Sequence, residues 1–136
     1  MSWYNGNYLR RESIAIDGSG SSAGAHDVEI VIPADFDSFW NNIRSDGLDI
    51  AIVNADNTLA IFQFKSGFNL PNRDLTLQID AYQLEQTGVT GKVFLYWDFA
   101  SNTTDIRGTF TITGSPLNGY IFQCLPAGRI VRDIGI

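Results

Sequence analysis

The chain has 136 residues, with 15 acidic against 9 basic side chains and a formal charge of −6. That length makes one domain able to bury a core without staples, and 44% hydrophobic content with 12% aromatics argues against disorder. No apolar run approaches the ~18 residues of a membrane span, and no basic stripe offers affinity for nucleic acid.

Aromatic residues come first: Trp3, Tyr4 and Tyr8 precede any strand. Ile14 and Ile16 then alternate with Ser13 and Ala15, the period of a half-buried strand. Gly18 to Ala25 is small and polar and reads as a flexible loop. Val28, Ile30 and Ile32 resume the alternation. Phe36, Phe39, Trp40 and Ile43 break it with the i, i+3, i+4, i+7 spacing of a helix. Pro33 precedes them and Asp35 or Asp37 can cap, so a short helix is expected over Asp35 to Ile43. Its apolar face is expected to plug an open end of the fold.

Leu48, Ile50 and Ile52 follow, and the turn Asn54 to Asn57 leads into Leu59 to Lys65, which reads as a hairpin. Leu75, Leu77, Ile79 and Ala81 form the next alternating set. Val93, Leu95, Trp97 and Phe99 form another, then Ile106, Phe110 and Ile112, then Tyr120, Phe122 and Cys124. These eight segments, punctuated by Gly, Pro and Asn, predict an all-β fold. The expected form is an antiparallel two-sheet sandwich of jelly-roll type with one short helix, a single domain over 1–136. The tail 126–136 carries Ile130, Val131, Ile134 and Ile136 beside Arg129 and Arg132. It is expected to add an edge strand or to dock on a neighbour, with the two arginines meeting an acidic surface.

Little in the chain suggests catalysis. The one cysteine, Cys124, excludes an internal disulfide and reads as a small buried hydrophobe. The one histidine, His26, excludes a multi-His metal site. No Gly-x-Ser-x-Gly elbow and no phosphate-binding glycine loop are present. Asp46, Asp49, Asn54 and Asp56 are oxygen ligands close in sequence and the best calcium candidates. Their spacing is not that of an EF-hand, and turn chemistry explains them equally well. No cofactor, no bound metal and no enzymatic activity are therefore expected. Tyr82 and Tyr96 fall out of phase with their strands' apolar sets and are candidate contact or ligand residues.

Trp3-Tyr-Asn-Gly-Asn-Tyr8, the strand from Ser13 to Ile16, and Arg44-Ser-Asp-Gly-Leu-Asp-Ile50 with Val53-Asn-Ala-Asp56 together resemble domain-of-unknown-function family two-three-four-one. Val93 to Asp98 stands where that family has a Tyr-rich strand. The resemblance covers about residues 2–99, and its most specific part runs from Arg44 to Asp56. It implies a β-sandwich module of large bacterial surface proteins and phage-encoded proteins, with no catalytic residues to carry over. From the residues themselves, Arg44 to Asp49 reads as a helix-to-strand corner. Gly47 supplies a positive φ, and Asp46 accepts local backbone bonds.

Charged residues make up 18%, lysine occurs only as Lys65 and Lys92, and asparagine occurs ten times. Such a surface suits large protein contacts, since interfaces are depleted in Lys and Glu. No signal peptide is recognisable at Met1. The expected function is a bacteriophage virion structural protein, made in the host cytoplasm and released by lysis, most simply a capsid decoration or cement protein, otherwise a tail component. Its partners would be other virion proteins or further copies of itself. The alternative is a carbohydrate-binding module with a cell-surface glycan as ligand.

Overall fold

In the computed structural model, which describes residues 5–65, 68–112 and 114–121, the alternating segments pair as strands. Among the described residues these are β1 (Arg10–Asp17), β2 (Gly24–Val31), β3 (Ala51–Asn54), β4 (Phe62–Phe64), β5 (Thr76–Leu84), β6 (Thr90–Trp97) and β7 (Leu117–Ile121). A single helical turn, α1 (Asp37–Trp40), lies between β2 and β3. The all-β class and the lone short helix are as the sequence predicts.

The expected division into two sheets gives way to one. The strand order is β3-β6-β1-β7-β2-β5-β4. On each side of β7 stands a three-stranded antiparallel set, β3-β6-β1 and β2-β5-β4. β7 enters between β1 and β2, antiparallel to the first and parallel to the second, and fuses the two sets. The far edges meet through the chain itself. Val53 bridges Leu59, and the Ala60 N–H donates to the Ile52 carbonyl at 2.8 Å before the chain crosses to β4. The sheet thus curls into a barrel-like wall around one apolar interior. The expected hairpin turn at Asn54 to Asn57 is present, but the strands leaving it part after Ala60 to close this curl.

The interior is filled by alternate residues: Ile14 and Ile16, Val28 and Ile30, Leu77 and Ile79, Val93 and Leu95 are all 0% exposed. α1 covers one end. Phe36, Phe39, Trp40 and Ile43 are buried in the same cluster, with the Phe36 and Phe39 rings 5.2 and 5.8 Å from Trp97. Two indole N–H groups fix this plug, Trp97 donating to Ser38 O at 2.9 Å and Trp40 to Pro33 O at 2.8 Å. Each buried aromatic contributes roughly 1.5–3 kcal/mol, enough to hold an element too short to stand alone. The helix is shorter than the expected Asp35 to Ile43, although backbone bonds continue to Ile43 N–H. Phe36, not an aspartate, occupies the N-cap, and Asp37, the first helical residue, turns its carboxylate to Arg73 at 2.6 Å.

β6 is buried on both faces. Outside the barrel, Tyr8 and Phe99 pack over Phe94, Tyr96, Ala51 and Val53, with the Tyr8 ring 5.1 Å from Phe99 and 6.1 Å from Tyr96. Tyr8 is therefore an anchor, as its position before the first strand suggests; Trp3 lies outside the described residues. The segment Ile106 to Ile112 is not a paired strand. It runs along the short edge of β4, where Gly108 N–H donates to Phe62 O at 2.8 Å and Phe110 N–H to the Gln63 side chain at 3.1 Å. With three residues, β4 offers too little edge for a ladder. The loop Gly18 to Ala23 is tied rather than free, through Gly88 N–H to Ser21 O at 2.9 Å and Ala23 N–H to Thr87.

In β7 the inward residues are Leu117, Gly119 and Ile121, so Tyr120 faces out, opposite to the expected phase. Phe122 and Cys124 lie outside the described residues. Gly119 has no room for a side chain: a Cβ there would sit 2.6 Å from Ile30 Cγ1 and 3.1 Å from Ile14 Cγ2. Gly119→Val is expected to overpack this point by about 1–3 kcal/mol. A thermal melt should fall by several degrees, while Gly6→Ala, which meets nothing within 4 Å, leaves the melt unchanged.

Candidate functional site

The corner from Arg44 to Asp49 is built from carboxylates that accept backbone bonds. Gly47 takes φ +69, and Asp46 accepts the Leu48 N–H at 3.0 Å, as a turn requires. The Arg44 guanidinium grips Asp46 through two nitrogens, at 3.0 and 2.8 Å, and also donates to the Ala100 carbonyl. Asp49 is fully buried. It receives Arg44 N–H at 3.0 Å on one oxygen and Phe99 N–H at 3.1 Å on the other, stitching the helix-to-strand corner to the segment after β6. Burial pushes the Asp49 carboxyl above its ordinary 3.8, against those backbone bonds. Arg44 holds Asp46 down at about 2, and Arg107, lying 4.6 Å over the Phe64 ring, does the same for Asp105.

The calcium candidates are thus committed to structure. Asp46 is ion-paired, Asp49 is enclosed by protein donors, and Asp56 accepts the N–H and hydroxyl of Thr58 at 3.2 and 2.5 Å. Among the described residues, no group of three or more His, Cys, Asp or Glu side chains is placed to hold a metal ion.

At the end of the barrel opposite α1 lies an open cleft of about 360 Å³. One wall is the corner between β3 and β4, and the other is β5 at Asp80 to Gln83, with Lys92 of β6 beside it. A β-bulge shapes the second wall. Val28 pairs with Ile79 and His26 with Tyr82, so Asp80 and Ala81 together oppose the single residue Asp27. Ala81 takes φ +52, a left-handed conformation costly for a residue with a Cβ, and donates its N–H to the Asp27 carboxylate at 3.2 Å.

The bulge also reverses the phase of β5. Ala81, expected inside, is exposed, and Tyr82 returns inward to pack against the core. Its hydroxyl accepts the Lys92 N–H at 3.1 Å, over Gly91, where a Cβ would lie 1.9 Å from the oxygen. Burial first, then the Glu85 charge, push the phenol above its usual 10, so Tyr82 stays protonated at neutral pH. Leu59 and Ile61 line the first wall and are 40% and 56% exposed, while Ala60 between them is buried. A second, smaller hollow of about 170 Å³ lies on the outside of β2 and β7, where Val31, 63% exposed, stands beside Pro33 and Tyr120.

Of the site residues read from sequence, Tyr82 is in the cleft and Tyr96 is not available to any ligand. Tyr96 is 0% exposed beneath Tyr8, with its hydroxyl accepting from Arg11 at 3.2 Å. The expectation for Tyr96 failed because it assumed a solvated outer face on β6. Arg129, Arg132 and the tail 126–136 lie outside the described residues. The reading missed Leu59, Ile61, Asp80 and Gln83. The uninterrupted apolar run Leu59 to Phe62 was the available signal, since no strand can turn four successive residues inward.

No family model matches the chain, and no curated protein or solved structure matches it either. Roles for its residues therefore rest on geometry.

Asp49 gives a signed pH effect. With its folded pKa raised, the folded state holds the proton more tightly than the unfolded chain. This group's contribution is greatest at acid pH and is withdrawn as pH rises through the folded pKa. Asp46 and Asp105 act oppositely: theirs is present above 3.8 and is lost as pH falls toward about 2. In urea titrations from pH 3 to 7, the stability of the native chain relative to Asp49→Asn should fall as pH rises above 3.8. It should then level off. A pH-independent difference would contradict this account.

Proposed function

We propose that this domain is a non-catalytic structural protein of a bacteriophage virion, a capsid decoration or cement module or else a tail component, whose partners are other virion proteins. The observation that carries the reading is the distribution of exposed aliphatic side chains. Leu9 is 68% exposed and Val31 63%, on a surface that has only two lysines to discourage association. Single exposed aliphatics are ordinary. Val31 is more than that: its hollow with Pro33 and Tyr120 on the outer sheet face can receive an apolar residue of a neighbour. The carbohydrate-binding alternative draws on a different feature, the cleft around Tyr82.

Mass spectrometry of purified particles tests the reading. The chain is expected in stoichiometric amount, and Val31→Asp is expected to lower its occupancy severalfold without moving its melting temperature. Abundance in the lysate with none on particles would refute a virion role.

A further inference from the structure

We propose that the cleft between the β3–β4 corner and the bulged part of β5 is a binding site for a neutral saccharide. This rests on the carbohydrate-binding reading of the domain and is independent of the virion reading.

Three features of the cleft point to that ligand class. The first is its size. At about 360 Å³, it falls within the range of small-ligand sites, roughly 300–1,000 Å³. The second is its lining. Leu59 and Ile61, two apart on an extended segment, present aliphatic surface on one side, suited to the C–H face of a pyranose ring. Across from them stand Asp80 and Gln83, with Asn54 and Lys92 between the walls. Together these supply donors and acceptors in the mixed set that hydroxyl groups require.

The third is preorganisation. Ala81 is held at φ +52 by its bond to Asp27, and Tyr82 is locked against Lys92 and Gly91. Asp80 faces out in phase with the buried Ile79, and the bulge is what turns Gln83 out beside it; bulges recur where a strand must re-aim side chains beside a site. A wall rigid before binding spares the ligand the cost of ordering it.

Charge narrows the choice further. Asp56, Asp80 and Glu85 face the cleft against one cation, Lys92. That balance repels phosphates, sulfates and uronates. A cationic ligand is less well served, because Asp56 is already used by Thr58, and exposed Glu85 is screened by water.

The test is amide NMR of the full chain titrated with maltotriose, cellotriose and chitotriose, with polygalacturonate and an oligolysine as charged probes. A neutral trisaccharide should give saturable shifts confined to residues 54–56, 59–61 and 80–83. Leu59→Arg, which fills the cleft from an exposed position, should weaken binding at least ~10-fold, and Asp80→Ala should weaken it severalfold, with both spectra otherwise native. Saccharide shifts elsewhere on the barrel, unaffected by Leu59→Arg, would overturn this site while leaving the domain a carbohydrate binder. Shifts at these amides with oligolysine or polygalacturonate alone, or with none of the probes, would overturn the proposal outright. Particle occupancy of Leu59→Arg should equal that of the native chain, so a failure here is separable from a failure of the virion reading.

Discussion

Everything in this fold depends on five residues near the end of the described chain. β7 pairs antiparallel with β1 on one side and parallel with β2 on the other. Without it, the hydrogen bonds of the other strands close two separate three-stranded sets. With it, they form one continuous wall. The requirement is steric as well as polar. Gly119 sits where Ile14, Ile16 and Ile30 converge, and only a residue without a side chain lets β7 lie that close to the core. A contact so distant in sequence costs loop entropy, which apolar burial must offset.

That burial is supplied in two layers. The barrel interior and the α1 plug form the larger cluster, and the outer layer of Tyr8, Phe94, Tyr96 and Phe99 covers β3 and β6 from outside. Ion pairs add little by comparison. Arg10–Asp98, Arg73–Asp37 and Arg107–Asp105 all lie at the surface, where solvent screens them. The polar group that matters is Asp49, a buried carboxylate with a backbone donor on each oxygen. It joins the outer layer to the corner after α1. An enclosed charge of this kind fixes geometry at an energetic cost, so it specifies the corner more than it strengthens it.

The cleft and the bulge are two views of one irregularity. Curling the sheet brings the β3 and β4 edges together only along Val53 to Ala60, and the strands separate beyond. On β5 the extra residue increases the local twist and takes up the mismatch. The strain at Ala81 is therefore local and offset by Asp27. The opening left behind carries the side chains that regular pairing would have sent elsewhere.

Local chemistry was legible in the sequence wherever its cause was local. The period of two located strands, the i, i+3, i+4, i+7 set located the helical turn and its buried face, and Arg44 to Asp49 announced a corner with Gly47 at positive φ. The all-β class follows from those patterns alone. What periodicity cannot carry is which strands become neighbours, because hydrogen bonds between strands leave no mark on spacing within them. Hence two sheets were expected where β7 makes one. Tyr96 was assigned to a surface that Tyr8 and Phe99 cover. The bulge inverted the phase of Tyr82, since an extra residue in one strand is defined only by its partner. For Asp46, Asp49 and Asp56 the sequence left calcium ligation and turn chemistry side by side, and the backbone N–H groups they accept are placed by folding: a carboxylate's role is set by the donors brought to it.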